Sequence, residues 1–208
     1  MVQIVLCLLF LPFFVDAARR SDLATIEKTE LAIWGLLTIF VFAALALSTS
    51  MPEGVTLQYS GAAFLALTLG YPRALLSMTL LLLITQPLAF IGQSLLVDAL
   101  LPVWLMLSLV GLTRRYLPPN LFVFLLGCGF IGLFIVYAFQ VLGGAVLSAL
   151  LWNGESMTAG IISEQAVWSL LLAGGEATLE GMMVTILVVF QPKMVALFDD
   201  DFYLSKPS

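Results

Sequence analysis

The fold turns on Leu57-Gln58-Tyr59-Ser60-Gly61-Ala62-Ala63-Phe64-Leu65-Ala66-Leu67-Thr68-Leu69-Gly70. It is apolar enough to enter a bilayer, but as a helix it reaches only about 21 Å against a hydrocarbon core about 30 Å thick. Whether it crosses decides on which side every later segment lies. Its surroundings are uniformly apolar: of 208 residues, 62% are hydrophobic and 10% charged, and the mean hydropathy is +1.11. A soluble domain has about 45–50% apolar and about 25% charged residues. This chain cannot cover a core with polar surface, so it reads as an integral membrane protein. Disorder, nucleic-acid binding and a disulfide-stapled secreted fold are excluded.

Five other runs approach or exceed a membrane crossing: Leu31–Thr49, Ala74–Ile91, Ser94–Leu112, Leu121–Leu151 and Ala166–Phe190. A shorter one, Val2–Val15, opens the sequence. A signal peptide carries positive charge ahead of its apolar run, whereas Arg19 and Arg20 follow this one, so a retained first helix is the better reading. The bases then settle Leu57–Gly70. If both short runs cross and the amino terminus is outside, Arg19, Arg20, Lys28, Arg73, Arg114, Arg115, Lys193 and Lys206 all fall inside. The outer loops then hold Glu53, Glu155 and Glu164 without a base. Without the Leu57–Gly70 crossing, Arg114 and Arg115 move outside. The expected fold is an all-α polytopic bundle of about seven transmembrane helices, amino terminus out and carboxyl terminus cytoplasmic. It is a single membrane domain, 1–208, with spans near 2–17, 31–49, 56–70, 74–92, 94–112, 121–149 and 166–190, and a cytoplasmic tail over 191–208.

Within these spans, Gly127, Gly129, Gly132, Gly143 and Gly144 permit close helix packing. Pro87 and Pro102 are placed to bend or end helices. Cys7 and Cys128 lie far apart in apolar runs and read as buried small hydrophobes.

Glu176 and Glu180 stand four apart in the last span, so both carboxyl groups share one helix face. An acid near the bilayer centre costs roughly 2.5–3.5 kcal/mol on insertion scales, so at least one must be neutralised or paired. They form a cation, proton or coupling site, or they are structural, bonded across the bundle to Thr68, Thr85, Gln86 or Gln140. Ala177 and Gly181 present a small-residue stripe on a neighbouring face. A second candidate is Glu53 with Gln58 and Tyr59, an acid, an amide and a phenol at the mouth of the short helix. Transporters bind substrates at such half-helix ends; an ordinary interfacial loop is the other reading. Asp98, a turn inside the end of its span, reads as a solvated carboxylate. No G-x-S-x-G, H-E-x-x-H or Walker loop is present, and the chain contains no histidine. The chain reads as no enzyme, and one that cannot hydrolyse ATP alone.

The stretch Met51-Pro52-Glu53-Gly54 through Gly61-Ala62-Ala63 to Leu69-Gly70 resembles the CbiM/NikM group, the substrate-binding permeases of energy-coupling-factor cobalt and nickel transporters. The resemblance continues at Leu117-Pro118-Pro119-Asn120-Leu121-Phe122-Val123-Phe124. It continues again at Gly175-Glu176 through Gly181-Met182, and at Val188-Val189-Phe190-Gln191-Pro192. The tail Phe198-Asp199-Asp200-Asp201-Phe202-Tyr203-Leu204 is similar to a proteobacterial branch of these permeases. The resemblance implies seven helices, with an external amino terminus folded into the binding site. It implies metal held by the terminal amine, a histidine at the second position and a histidine just before the Gly-Ala-Ala helix. Here Val2 holds the second position, and Gln58 or Tyr59 the loop position. The metal ligands therefore stay open, with Glu53, Gln58, Tyr59, Glu176 and Glu180 as the substrate-binding candidates.

The resulting expectation is a permease of an energy-coupling-factor transporter, multi-pass in the bacterial inner membrane and taking up a transition-metal ion of the cobalt or nickel kind. No intrinsic cofactor is expected, only a transported divalent ion. The expected partners are lipids, a transmembrane coupling subunit and ATPase subunits. The face bearing Ala62, Ala66 and Gly70 is the expected docking stripe. The alternative is a non-transporting accessory protein that keeps the fold without the ligands.

Overall fold

A computed structural model of the chain describes residues 2–21, 26–46, 49–50, 56–151 and 159–204. It is helical throughout apart from a two-residue antiparallel ladder, β1 (Thr49–Ser50) with β2 (Thr56–Leu57). The long helices are α1 (Val2–Arg20), α2 (Lys28–Leu45), α3 (Ala62–Thr85), α4 (Ile91–Tyr116), α5 (residues 123–151) and α6 (Ala159–Phe190). A short α7 (Asp200–Leu204) closes the described tail. Six helices among the described residues are long and apolar enough to cross a membrane. Their outer faces carry large apolar side chains such as Ile4, Leu36, Leu80, Leu126 and Val189, as a lipid-facing surface requires.

The third of these helices is folded in two. A straight α-helix over 62–85 would hold its ends about 36 Å apart, yet the Gln86 side-chain amide donates to Gln58 Oε1 at 2.8 Å. The reversal sits at Gly70, whose φ of 75° and ψ of 173° leave the helical region and suit only glycine. Pro72 follows, at the start of the returning arm, where no partner for a backbone N–H is needed. The first arm, residues 62–69, is a half-helix about 12 Å long. The second, residues 71–85, runs back beside it and ends ahead of Pro87. The expected third span over 56–70 is thus helical only from Ala62 and cannot cross a bilayer alone. With its returning arm it supplies two antiparallel segments between α2 and α4.

The half-helix is the most enclosed element. Ala62, Ala63, Phe64, Leu65, Ala66 and Leu67 are all 0% exposed. The small side chains at 62, 66 and 70 pack inside the chain's own bundle, so they are not the partner-docking stripe expected from the sequence. Small residues four apart signal close packing whichever helix supplies the neighbour. At its entrance Gly61 has φ 68°, and a Cβ there would stand 2.5 Å from Val41 Cγ1.

Side chains from the outer helices fix the hairpin. On α2, Trp34 Nε1 donates to Ser77 Oγ at 2.6 Å, and Thr38 pairs with the same hydroxyl. Glu30 meets Arg73 at 2.8 Å at the reversal. On α1, the carbonyl of Phe13 accepts from the Tyr71 hydroxyl. Both α4 and α5 contain wide, π-type turns, at Leu95–Leu100 and Val123–Gly132. Helices α5 and α6 are in tight contact at glycine: a Cβ on Gly181 would lie 2.6 Å from the Gly129 carbonyl oxygen. Cys128 is buried and Cys7 half-buried.

The tail returns beneath the half-helix. Ala196 N–H donates to the Thr68 carbonyl at 2.8 Å and Leu197 N–H to the Leu67 carbonyl at 3.2 Å. These two carbonyls belong to the last turn of the half-helix, which has no internal donors for them. The Arg114 guanidinium holds the Leu197 carbonyl at 2.8 Å, and Phe124, Phe198 and Tyr203 stack below.

Candidate functional site

Glu176 and Glu180 project from the middle of α6 into the bundle, 5% and 0% exposed. Apolar helices cannot carry such groups inward without donors to receive them. Glu180 has two: the Tyr59 hydroxyl donates to Oε1 and the Tyr137 hydroxyl to Oε2, each at 2.5 Å. Glu176 Oε2 accepts the backbone N–H of Ser60 at 3.3 Å. Both acids therefore grip the residues just ahead of the half-helix, where the N-terminal end of the helix dipole favours negative charge.

A second strand of polar groups leads away from the same point. The Ser60 hydroxyl donates to Gln140 Oε1 at 2.8 Å, and the Gln140 amide donates to Asp98 Oδ1 at 3.0 Å. These groups border a cavity of about 60 Å³, lined by Gln58, Tyr59, Ser60, Gln86, Asp98 and Gln140 and closed by Leu45, Met78 and Leu82. It lies between the entrance of the half-helix, the returning arm, α4 and α5.

Of the sequence-derived candidates, Gln58, Tyr59, Glu176 and Glu180 are brought together here. Glu53 lies outside the described residues. Val2, at the position the resemblance gives to an amino-terminal ligand, opens α1 with its side chain 48% exposed. Its neighbour Gln3 accepts from the Gln93 N–H, so α1 packs on α4 there, and Val2 does not line the cavity. Asp98 is a correction: it faces this cavity and is bonded to Gln140, where the sequence suggested a solvated carboxylate. Distance from the end of a helix says nothing about which way the side chain turns.

Two participants were missed and one was given other partners. Ser60 and Tyr137 gave no signal as single residues, and Gln140 was expected as a partner of the glutamates but serves Ser60 and Asp98. Tyr137 and Gln140 stand three apart on one face of an otherwise apolar helix, a polar pairing that marks an inward-facing stripe. Among the described residues, the Thr68 and Thr85 hydroxyls bond only to carbonyls of their own helix. Among the described residues, no three acidic or cysteine side chains gather as a metal-binding group.

The family model for the cobalt uptake substrate-specific transmembrane region, CbiM, matches residues 1–194. No curated relative matches the sequence. Two crystal structures share the fold. One, described as a truncated transition metal transporter, has a TM-score of 0.73 at 20% identity over 90% of this chain and 93% of that one. The other, a transition metal transporter, has a TM-score of 0.72 at 20% identity over 89% and 87%.

Proposed function

The chain belongs to the CbiM family, a multi-pass membrane component of metal uptake, and we propose that the polar cluster at the entrance of its half-helix is where it receives its ion. One observation carries this reading: two helices, α5 and α6, aim hydrogen-bonding side chains at Tyr59 and Ser60 or at the acid that holds them, beside a cavity, at a depth where polar groups are costly. Arriving substrate competes for Gln58, Tyr59, Glu176 and Asp98 oxygens that are now engaged with Gln86, Glu180, the Ser60 N–H and Gln140, respectively. The half-helix is freed or held according to whether those bonds persist.

In this reading the amino terminus faces outward and the carboxyl terminus inward in a bacterial inner membrane. The described bases support that orientation. Arg19, Arg20, Lys28, Arg73, Arg114, Arg115 and Lys193 all lie at the end of the bundle where Gly70 and the tail meet, the signature of a cytoplasmic face. The sequence has no phosphate-binding loop, so an energy-coupling-factor assembly would supply a transmembrane coupling subunit and ATPase subunits.

Metal uptake by cells carrying the full transporter tests the site. With membrane levels unchanged, Glu176→Gln and Gln58→Ala should each lower uptake by about tenfold or more, the scale on which groups supporting a metal site act. Uptake unaffected by both changes removes the site. The absence of histidine from the chain favours the accessory-protein reading, and copurification decides between the two. A tagged chain that brings down neither a coupling subunit nor an ATPase is an accessory protein.

A further inference from the structure

We infer that the cargo is a hard divalent cation of the manganese kind, held by oxygen donors in the cavity bounded by Gln58, Gln86, Asp98 and Gln140. This rests on the reading of the chain as a metal-uptake component and departs from cobalt as the ion. The ligand atoms carry the argument. Every polar side chain lining the cavity offers oxygen as its acceptor: the amides of Gln58, Gln86 and Gln140, the hydroxyls of Tyr59 and Ser60, and the carboxylate of Asp98. The chain has no imidazole to offer. Its two cysteines lie elsewhere, Cys7 on α1 and Cys128 beside Thr113 near the opposite end of the bundle. Met78 contributes the one sulfur, a weak thioether in the apolar wall.

Carboxylate, carbonyl and water ligands suit magnesium, calcium and manganese, whereas imidazole suits nickel and the later transition metals and thiolate the softer ions. Size agrees. A cavity of about 60 Å³ accepts an ion that keeps a few waters, each needing about 10–15 Å³ of such space. It is too small for a chelated metal or an organic cofactor. Charge agrees too: Asp98 lines the cavity, and Glu176 lies behind Ser60 within hydrogen-bond reach of its backbone, two carboxyl groups for a divalent ion. Neutral amide oxygens complete the shell without adding repulsion.

The test is binding by the full chain in lipid nanodiscs, with loss of the aqueous Mn²⁺ paramagnetic resonance signal as readout. One Mn²⁺ per chain is expected, and Ni²⁺ should need a concentration within about tenfold of Mn²⁺ to displace half of it, since oxygen donors separate the two weakly. Displacement by Ni²⁺ at a hundredfold lower concentration, or no Mn²⁺ bound at all, overturns the inference. Asp98→Asn should weaken Mn²⁺ binding by about tenfold or more, with the thermal midpoint reporting on the fold. Gln58→His does not depend on a loss: an imidazole in the cavity wall should shift preference towards Ni²⁺ by at least tenfold, and an unchanged preference places the ion elsewhere and overturns the site. Cellular uptake separates the two levels of the argument. Nickel uptake without manganese uptake ends the inference about cargo and leaves the transport reading standing, whereas uptake of neither ends both.

Discussion

Tyr137→Phe removes one hydroxyl and no packing volume of consequence. That hydroxyl donates to Oε2 of a carboxyl group with no exposed surface, and Oε1 is left to Tyr59 alone. A hydrogen bond to a charged group contributes about 1.5–3 kcal/mol, and a buried acceptor left without a donor costs about 1–3 kcal/mol. The single change should therefore lower unfolding free energy by about 1.5–3 kcal/mol. Tyr59→Phe should cost a similar amount. The pair is the sharper test, because the first removal leaves Glu180 one donor and the second leaves it none. The double variant should exceed the sum of the singles by about 0.5–3 kcal/mol, the coupling seen when residues share one network. Adding Glu180→Leu to the double variant should recover most of the loss, since an apolar triad has no polar group to strand. Denaturant-induced unfolding in mixed micelles supplies all four numbers. A cost below about 0.5 kcal/mol for Tyr137→Phe, or strict additivity with Tyr59→Phe, would refute the view that these phenols hold the acid.

Gly61→Ala should destabilise by about 2–5 kcal/mol, from a positive φ costing about 1–2 and a Cβ forced against Val41 costing about 1–3. Val41→Ala in the same chain should return only the steric share, as read from the thermal midpoint. At Gly181 an added methyl meets the Gly129 carbonyl and the Phe130 ring; Gly181→Ala should separate α5 from α6 and lower the midpoint, while Gly127→Ala, which meets nothing, should leave it unchanged. Arg114→Met removes the guanidinium bonded to Leu197 and should speed proteolysis within residues 191–204. Cleavage at an unaltered rate would show that the backbone bonds to Thr68 and Leu67 and the ring contacts retain the tail without the guanidinium.

Much of this molecule was legible because membranes impose one-dimensional rules. Hydropathy marked every long helix, and the bases marked one end. The spacing of Glu176 and Glu180 announced an inward acidic face, because two acids one turn apart have few other reasons to sit in an apolar span. Their partners were harder to read. Tyr59 and Glu180 are 121 positions apart, and only the reversal at Gly70 brings the half-helix entrance to mid-bundle. Glycine there signals freedom and not direction, so the sequence showed two apolar runs without showing that one is half the length of the other's path. Asp98 and the Ala62–Ala66–Gly70 stripe failed for a related reason. Their types were read correctly, but exposure is a property of neighbours, and the neighbours came from α5 and from the tail.

The half-helix also has a mechanical consequence. Eight residues make barely two turns, too short to bend or to absorb compression, and its two ends are bonded to different things: Ser60 to the acids of α6, and the Leu67 and Thr68 carbonyls to the tail. Such an element behaves as a push-rod. A displacement at the polar end would arrive with little loss at the other, against the backbone of Ala196 and Leu197, so the proposed binding of an ion deep in the membrane would be delivered as a movement of the tail beside the arginines.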